Sequence, residues 1–208
     1  MPKTVDPQSK RQELLTASWD VIAREGLKGA TLRRVAAEAG CTTGTLVHYF
    51  PDRAALMIAA LREAHYGAGR RMAQSASETD SGKQRLRAVL LESLPLDDER
   101  LREWRIWLAF WAESMNDAAL TREDAERYAE WSELIEGLVA ETLGARSRRS
   151  ANVRKEAAKL IALVDGLGVR IARSASDSAA LTKLQRQAVT MLGEHLDALT
   201  ASSEEAGT

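Results

Sequence analysis

The sequence is poor in several things, and each scarcity excludes something. One cysteine in 208 residues, Cys41, rules out an internal disulfide framework and any multi-cysteine metal site. Only four prolines and few strand-like alternations leave little to interrupt helices. Aromatic residues make up 5% of the chain, although five of the ten are Trp. No apolar run approaches the roughly 18 residues of a transmembrane helix, so no membrane partner is expected. The polar start MPKTVDPQSKRQ lacks the apolar stretch of a signal peptide, and a reduced, cytoplasmic setting fits. The three His residues, His48, His65 and His195, are dispersed. No HExxH, phosphate-binding loop, GxSxG or dinucleotide fingerprint occurs, so neither an enzyme nor a cofactor is expected.

Hydrophobic residues make up 45% of the chain and charged ones 28%, with Ala, Leu, Arg and Glu prominent, which points to an all-α protein. The net charge of -1 is an average over two unlike parts. Residues 1–71 hold 11 Lys+Arg against 7 Asp+Glu, and residues 72–208 hold 18 against 23. A mildly basic front end on an acidic body is the asymmetry relevant to a nucleic-acid partner.

About nine helices are expected. Residues 1–9, with two prolines, read as a disordered arm. Leu14, Leu15, Trp19 and Ile22 recur at helical spacing until Gly26 closes the helix. Thr31 caps a short helix, Leu32 to Ala39, which Gly40 ends. A third begins near Thr42 or Thr43 and runs to about Phe50, where Pro51 breaks it. A three-helix reading domain over 10–52 is therefore followed by a larger helical bundle over 53–201. Within it, a linker helix covers about 53–70, residues 75–82 form a loop, and Pro95 precedes a Trp-rich helix capped by Asp97 or Asp98. Thr121 caps the next helix, 145–150 form a basic loop, and two final helices cover about 152–174 and 179–201. Residues 202–208 read as a frayed tail.

Residues 31–50, two short helices across a Gly-containing turn, have the helix-turn-helix layout, whose second helix enters the major groove. A groove-facing helix needs small or polar residues first, so that base edges and phosphates can come close. Thr42, Thr43, Gly44 and Thr45 meet that need, with His48 and Tyr49 on the next turn. Arg33, Arg34 and Arg53 flank the motif and can neutralise phosphates, but only one of Arg33 and Arg34 points at the backbone. Leu46 and Phe50 read as core, and Cys41 as packing in the turn.

The run TLRRVAAEAGCTTGTLVHYFPDRAALM resembles the DNA-binding signature of the TetR family of bacterial regulators. The matching positions are Thr31, Val35-Ala36, Ala39-Gly40, Thr42, Gly44, Leu46, Tyr49-Phe50 and Arg53, within a likeness spanning about residues 10–58. The resemblance implies that Thr31 and Arg53 touch phosphates, while Thr42, Thr43, Gly44, Val47 and His48 face the groove. Two positions depart from the common pattern: Thr43 stands where Lys is frequent and Val47 where Tyr is frequent. The operator sequence therefore does not transfer from relatives, and Val47 offers an apolar surface to a thymine methyl.

The segment LPLDDERLREWRIWLAFWAES, residues 94–114, is similar to the C-terminal domain of the BetI-like branch, named for a choline-responsive repressor. Trp104, Trp107, Leu108, Trp111 and Met115 share a helix face, and Tyr128 and Trp131 stand one turn apart on the next helix. They either line an aromatic cavity for a small-molecule effector, a quaternary ammonium being conceivable, or serve as core anchors. Glu113, Asn116 and Asp117 fall off that face, which leaves no anionic partner on the same helix. The last two helices carry wide apolar stripes, including Leu160, Val164, Leu167, Ile171, Leu184, Met191, Leu192 and Leu196. The resemblance implies that these pair with a second subunit in a four-helix interface.

The expectation is a transcriptional regulator, a repressor by the family's usual mode. It would bind an inverted-repeat operator in double-stranded DNA as a homodimer and leave it when an effector binds. A helical protein-interaction module without a DNA role, and an activator of the same fold, are the alternatives.

Overall fold

The structure is a computed structural model that describes residues 6–144, 150–174 and 176–205. Among these residues there are nine helices and no strand. They are α1 (Pro7–Gly29), α2 (Leu32–Glu38), α3 (Thr43–Tyr49), α4 (Arg53–Ser77), α5 (Gly82–Glu92), α6 (Asp98–Ser114), α7 (Ala118–Thr142), α8 (Ala151–Arg173) and α9 (Ser178–Glu205).

Several expected boundaries move, each for a local reason. The expected arm ends earlier, because Asp6 accepts hydrogen bonds from the N–H groups of Gln8 and Ser9 and Pro7 sits in the first turn, where a missing N–H costs nothing. Helix α1 then runs to Gly29, interrupted at Gly26, whose φ of 72° is the left-handed conformation expected there. The linker helix extends to Ser77, so the expected loop at 75–82 shrinks. Asp117, not Thr121, caps α7 by accepting from the N–H groups of Ala119 and Leu120, while the Thr121 hydroxyl donates back to the carbonyls of Ser114 and Asp117. Helix α9 continues to Glu205, through part of the expected tail. Residues 1–5 of the expected arm, 145–149 of the basic loop and 206–208 of the tail lie outside the described residues.

The chain divides into two compact units. The first runs to Tyr66 and takes in Arg105–Asp124; the second comprises Gly67–Trp104 and the chain from Ala125 onward. This differs from the single cut expected at 52/53. The first unit's core explains why. Leu14, Leu15, Val21 and Ile22 of α1 are buried with Leu46 and Phe50, and the same cluster includes Leu56, Met57 and Leu61 of α4 and Ile106 and Phe110 of α6. The indole N–H of Trp19 donates to the Ala60 carbonyl at 3.0 Å, a further tie from α1 to α4. The three helices of the reader thus complete their core only with parts of α4 and α6.

In the second unit, α9 packs on both α5 and α8. Leu86, Leu90, Leu94, Trp104, Ile135, Val139, Leu160, Val164, Leu192 and Leu196 are buried there. Arg71 is an ion-pairing cation of this unit. Its guanidinium donates to both carboxylate oxygens of Glu103 at 2.8 and 2.6 Å and lies near Glu92 and Glu99. No helix among the described residues is long and apolar enough to cross a membrane.

Candidate nucleic-acid interface

The second helix of the motif is built by its own sequence. Thr42 has extended backbone, and its hydroxyl accepts from the Thr45 N–H at 3.1 Å, which caps α3. Gly40, with φ of 61°, supplies the left-handed residue of the turn that redirects the chain from α2 into α3. Buried Leu46 and Phe50 fasten one face of α3 to the core. The opposite face is left bare: Thr42, Thr43, Gly44, Val47 and His48 are all exposed. Val47 is 39% exposed, an apolar side chain in water. A Cβ on Gly44 would meet nothing closer than the Thr42 hydroxyl at 3.7 Å. The fold itself would therefore accept a side chain there. Tyr49 is half-buried, with its ring edge-on to His48 at 5.3 Å.

The cations around α3 divide into committed and available ones. Thr31 is a true cap, accepting from the Arg34 N–H at 3.3 Å. Arg53, assigned to phosphate in the sequence reading, turns inward. It donates from Nε to the Ala30 carbonyl at 3.2 Å and from Nη2 to the Leu27 carbonyl. These are carbonyls at the end of α1, where helical partners run out, and a guanidinium is well suited to satisfy them. Arg53 thus ties the head of α4 to the end of α1. Arg34 donates to both carboxylate oxygens of Glu25, and Arg24 bridges Glu38 at 2.8 Å and Glu25 at 3.5 Å. The carboxyl of Glu25 is held below its ordinary value, first by the Arg34 hydrogen bond, and that of Glu38 likewise by Arg24. Arg33 is exposed and makes no ion pair among the described residues. Of the two neighbouring arginines, Arg33 is therefore the one at liberty.

The aromatic residues expected to form one pocket distribute over both units. Trp104, 7% exposed, belongs to the second, where its indole N–H donates to the Ser93 carbonyl at 2.8 Å and its ring lies against Gly168. Trp107, Leu108 and Trp111 are half-buried in the first, with Trp107 edge-on to His65 at 6.2 Å. Met115 is 80% exposed and stands apart from these rings. Tyr128 and the half-buried Trp131 belong to the second unit. Two carboxylates that helical spacing did not single out meet these aromatics from other helices. Asp124 accepts a hydrogen bond from Trp111, and Asp165 accepts one from the Tyr128 hydroxyl at 2.9 Å. Burial is the larger influence on both and raises them from the ordinary aspartate value. Periodicity within one helix could not reveal either pairing, since each joins different elements.

The residues expected at a dimer interface differ in exposure within one chain. Leu160, Val164, Leu167, Ile171, Leu192 and Leu196 are buried within a single protomer, Leu184 is half-buried and Met191 is 42% exposed. An apolar stripe looks the same in sequence whether its own chain or a partner covers it. Among the exposed residues of α8 are the small Ala158, Ala162 and Gly166, and Cβ positions at Gly166 and Gly193 would meet nothing within 4 Å.

Comparison with known proteins agrees with this architecture. Residues 14–60 match the model of the bacterial regulatory proteins of the tetR family, and residues 82–201 match the C-terminal model of BetI-type transcriptional repressors. The chain is 32% identical over 208 residues to the HTH-type transcriptional regulator BetI of Paraburkholderia phytofirmans, covering 98% of this chain and all of that one. A transcriptional regulator from Pseudomonas aeruginosa PAO1 superposes with a TM-score of 0.79 at 25% identity, covering 98% of this chain and 96% of that one. One from Saccharomonospora viridis, solved in complex with choline, superposes with a TM-score of 0.76 at 24% identity, covering 90% and 97%. With its capped reading helix exposed and both family models matched, the chain belongs to the TetR family, carries a C-terminal region of the BetI type, and is a DNA-binding transcriptional regulator and not an enzyme.

Proposed function

We propose that this regulator is a repressor that binds an inverted-repeat operator as a homodimer and releases it when a small molecule occupies the C-terminal region. The bare outer face of α3 carries the reading: Thr43, Gly44, Val47 and His48 are exposed while Leu46 and Phe50 anchor the helix behind them. One such helix spans only a few base pairs, so a second copy on a symmetric site supplies the remaining affinity. The outward faces of α8 and α9, open at Gly166 and Gly193, suit close approach of the same helices from a partner. The groove contacts assigned to Thr42, Thr43, Gly44, Val47 and His48 remain those of the family pattern, with Thr31 and Arg33 toward phosphate.

Release follows from a shift between dimers whose reading heads fit successive major grooves and dimers whose heads do not. Helix α4 contributes residues to both units and is the element through which the shift passes. Relatives named BetI and the choline complex of the Saccharomonospora viridis protein support a cationic effector. Within the first unit, the aromatic faces of Trp107 and Trp111 with the carboxylate of Asp124 suit such a ligand, because ring quadrupoles and carboxylates both attract ammonium groups. The test is footprinting on the DNA flanking the protein's own gene, followed by fluorescence anisotropy with choline added. A two-fold-symmetric footprint that choline dissolves is the expected result. A single half-site, or repression of a reporter unaffected by deleting the gene, overturns the reading.

A further inference from the structure

The reader spends most of its positive charge on itself. Lys10 pairs with Glu13 at 2.7 Å, Arg62 with the buried Glu123 at 2.7 Å, Arg24 with Glu38, and Arg53 with backbone carbonyls. Arg11 lies over the Phe50 ring, 5.1 Å from its centre. Arg34 is the unusual member of this set. It sits on the first turn of α2, next to Arg33 and three residues after the Thr31 cap, on the helix that crosses the DNA backbone in this motif. Yet its planar fork is occupied by a carboxylate, which has the same two-oxygen geometry as a phosphate edge.

We infer that Glu25 is an internal stand-in for a DNA phosphate, and that Arg34 leaves Glu25 for the DNA backbone when the reader docks. Three features make the exchange cheap. The Arg34 side chain is 54% exposed, so it needs no opening of the core to swing out. Both the old and the new partner are anionic acceptors of the same fork, so the guanidinium loses no class of hydrogen bond. Glu25 is not abandoned, because Arg24 already lies 3.5 Å from it and stays behind. The consequence is a tax on every encounter with DNA, levied on specific and non-specific sites alike. It holds down non-specific binding while the base-reading face of α3 keeps its discrimination.

The experiment measures binding to a mixed-sequence duplex of about 30 base pairs, by anisotropy across a potassium chloride series from about 50 to 200 mM. The mixed duplex keeps the result independent of the operator and of the repressor reading. Removing a phosphate contact makes the plot of log affinity against log salt shallower by about 0.9 for each bound head. Arg34→Gln is therefore expected to flatten the slope by that amount, and Arg34→Lys to restore it. Glu25→Gln is expected to tighten binding by about two- to fivefold, the size of an exposed ion pair, with the wild-type slope. In the Arg34→Gln background the same Glu25 change is expected to do nothing, since it acts through Arg34. An Arg34→Gln protein with the wild-type slope overturns the inference. So does equal tightening by Glu25→Gln in both backgrounds, which would mark a general charge effect. Should Arg34→Gln unfold, the slope of Arg34→Lys and the affinity of Glu25→Gln carry the decision: a flattened Lys slope or an unchanged Glu25→Gln affinity defeats it.

Discussion

At the scale of single residues, the reader depends on a few conformations and partners that are unforgiving. Gly40 holds φ at 61° between α2 and α3, a region costing an ordinary L-residue about 1–2 kcal/mol. No neighbour lies within 4 Å of where its Cβ would stand, so strain and not crowding sets the cost. Gly40→Ala is therefore expected to lower stability by that amount, read as a lower denaturant midpoint at unchanged slope. The same scale shows what sequence could reveal. Thr31 was legible as a cap because the residue it caps lies three positions ahead. The inward partners of Arg53 were not legible because they are main-chain carbonyls 23 and 26 residues earlier, and no side-chain pattern announces a carbonyl. The choice between Arg33 and Arg34 was open in sequence, since both flank the motif equally; that Glu25, nine residues upstream, holds Arg34 in the free protein was not readable from it.

At the scale of elements, two glycines two residues apart on α8, and so on opposite faces, have opposite meanings. A Cβ on Gly168 would overlap the ring of Trp104, a rigid side chain with no room to retreat. Gly168→Ala is expected to cost about 1–3 kcal/mol through overpacking, seen as a lower melting temperature. A Cβ on Gly166 meets only open space. Gly166→Leu is expected to leave the melting of the protomer near that of the wild type, yet to lower the dimer fraction in sedimentation if α8 is the meeting face. A full dimer population in that variant would move the interface elsewhere. Helix count and most boundaries were readable from apolar spacing and caps, but the assignment of each stripe to self or partner was not. Leu160 and Met191 sit in equally apolar runs, and only burial separates them, the first fully covered and the second 42% exposed.

At the scale of the whole molecule, the balanced charge is organised as paired clusters with opposite responses to acid. Glu25, Glu38, Asp97 and Glu141 have carboxyls held below their ordinary values, the first two and Glu141 chiefly by arginine hydrogen bonds. Their contribution is present above the ordinary carboxyl range and is lost as pH falls through the lowered values. Glu103 runs the other way. Burial pushes it up in spite of Arg71, so the folded chain holds that proton more tightly than the unfolded one. Its contribution is complete at acid pH and declines as pH rises past the ordinary glutamate value. Arg71→Gln removes the one strong counter-charge from a side chain only 6% exposed. The expected loss is about 3–5 kcal/mol at neutral pH, shrinking toward pH 4 as Glu103 takes up a proton. Thermal melts across pH check both the size and the sign; a loss that grows on acidification would refute the assignment.

The inward turn of Arg53 has a practical meaning for anyone who recombines regulators of this kind. Residue 53 opens α4, yet its guanidinium holds the carbonyls that end α1, and Leu56, Met57 and Leu61 beyond it complete the same core. The DNA-reading module therefore reaches inside a continuous helix, past Leu61 and beyond the break marked by Pro51, with Ile106 and Phe110 of α6 in the same core. A graft joined at 52/53 inherits whatever residue the recipient carries at the head of its own linker helix. A graft joined one or two turns beyond Leu61 carries its own clasp with it.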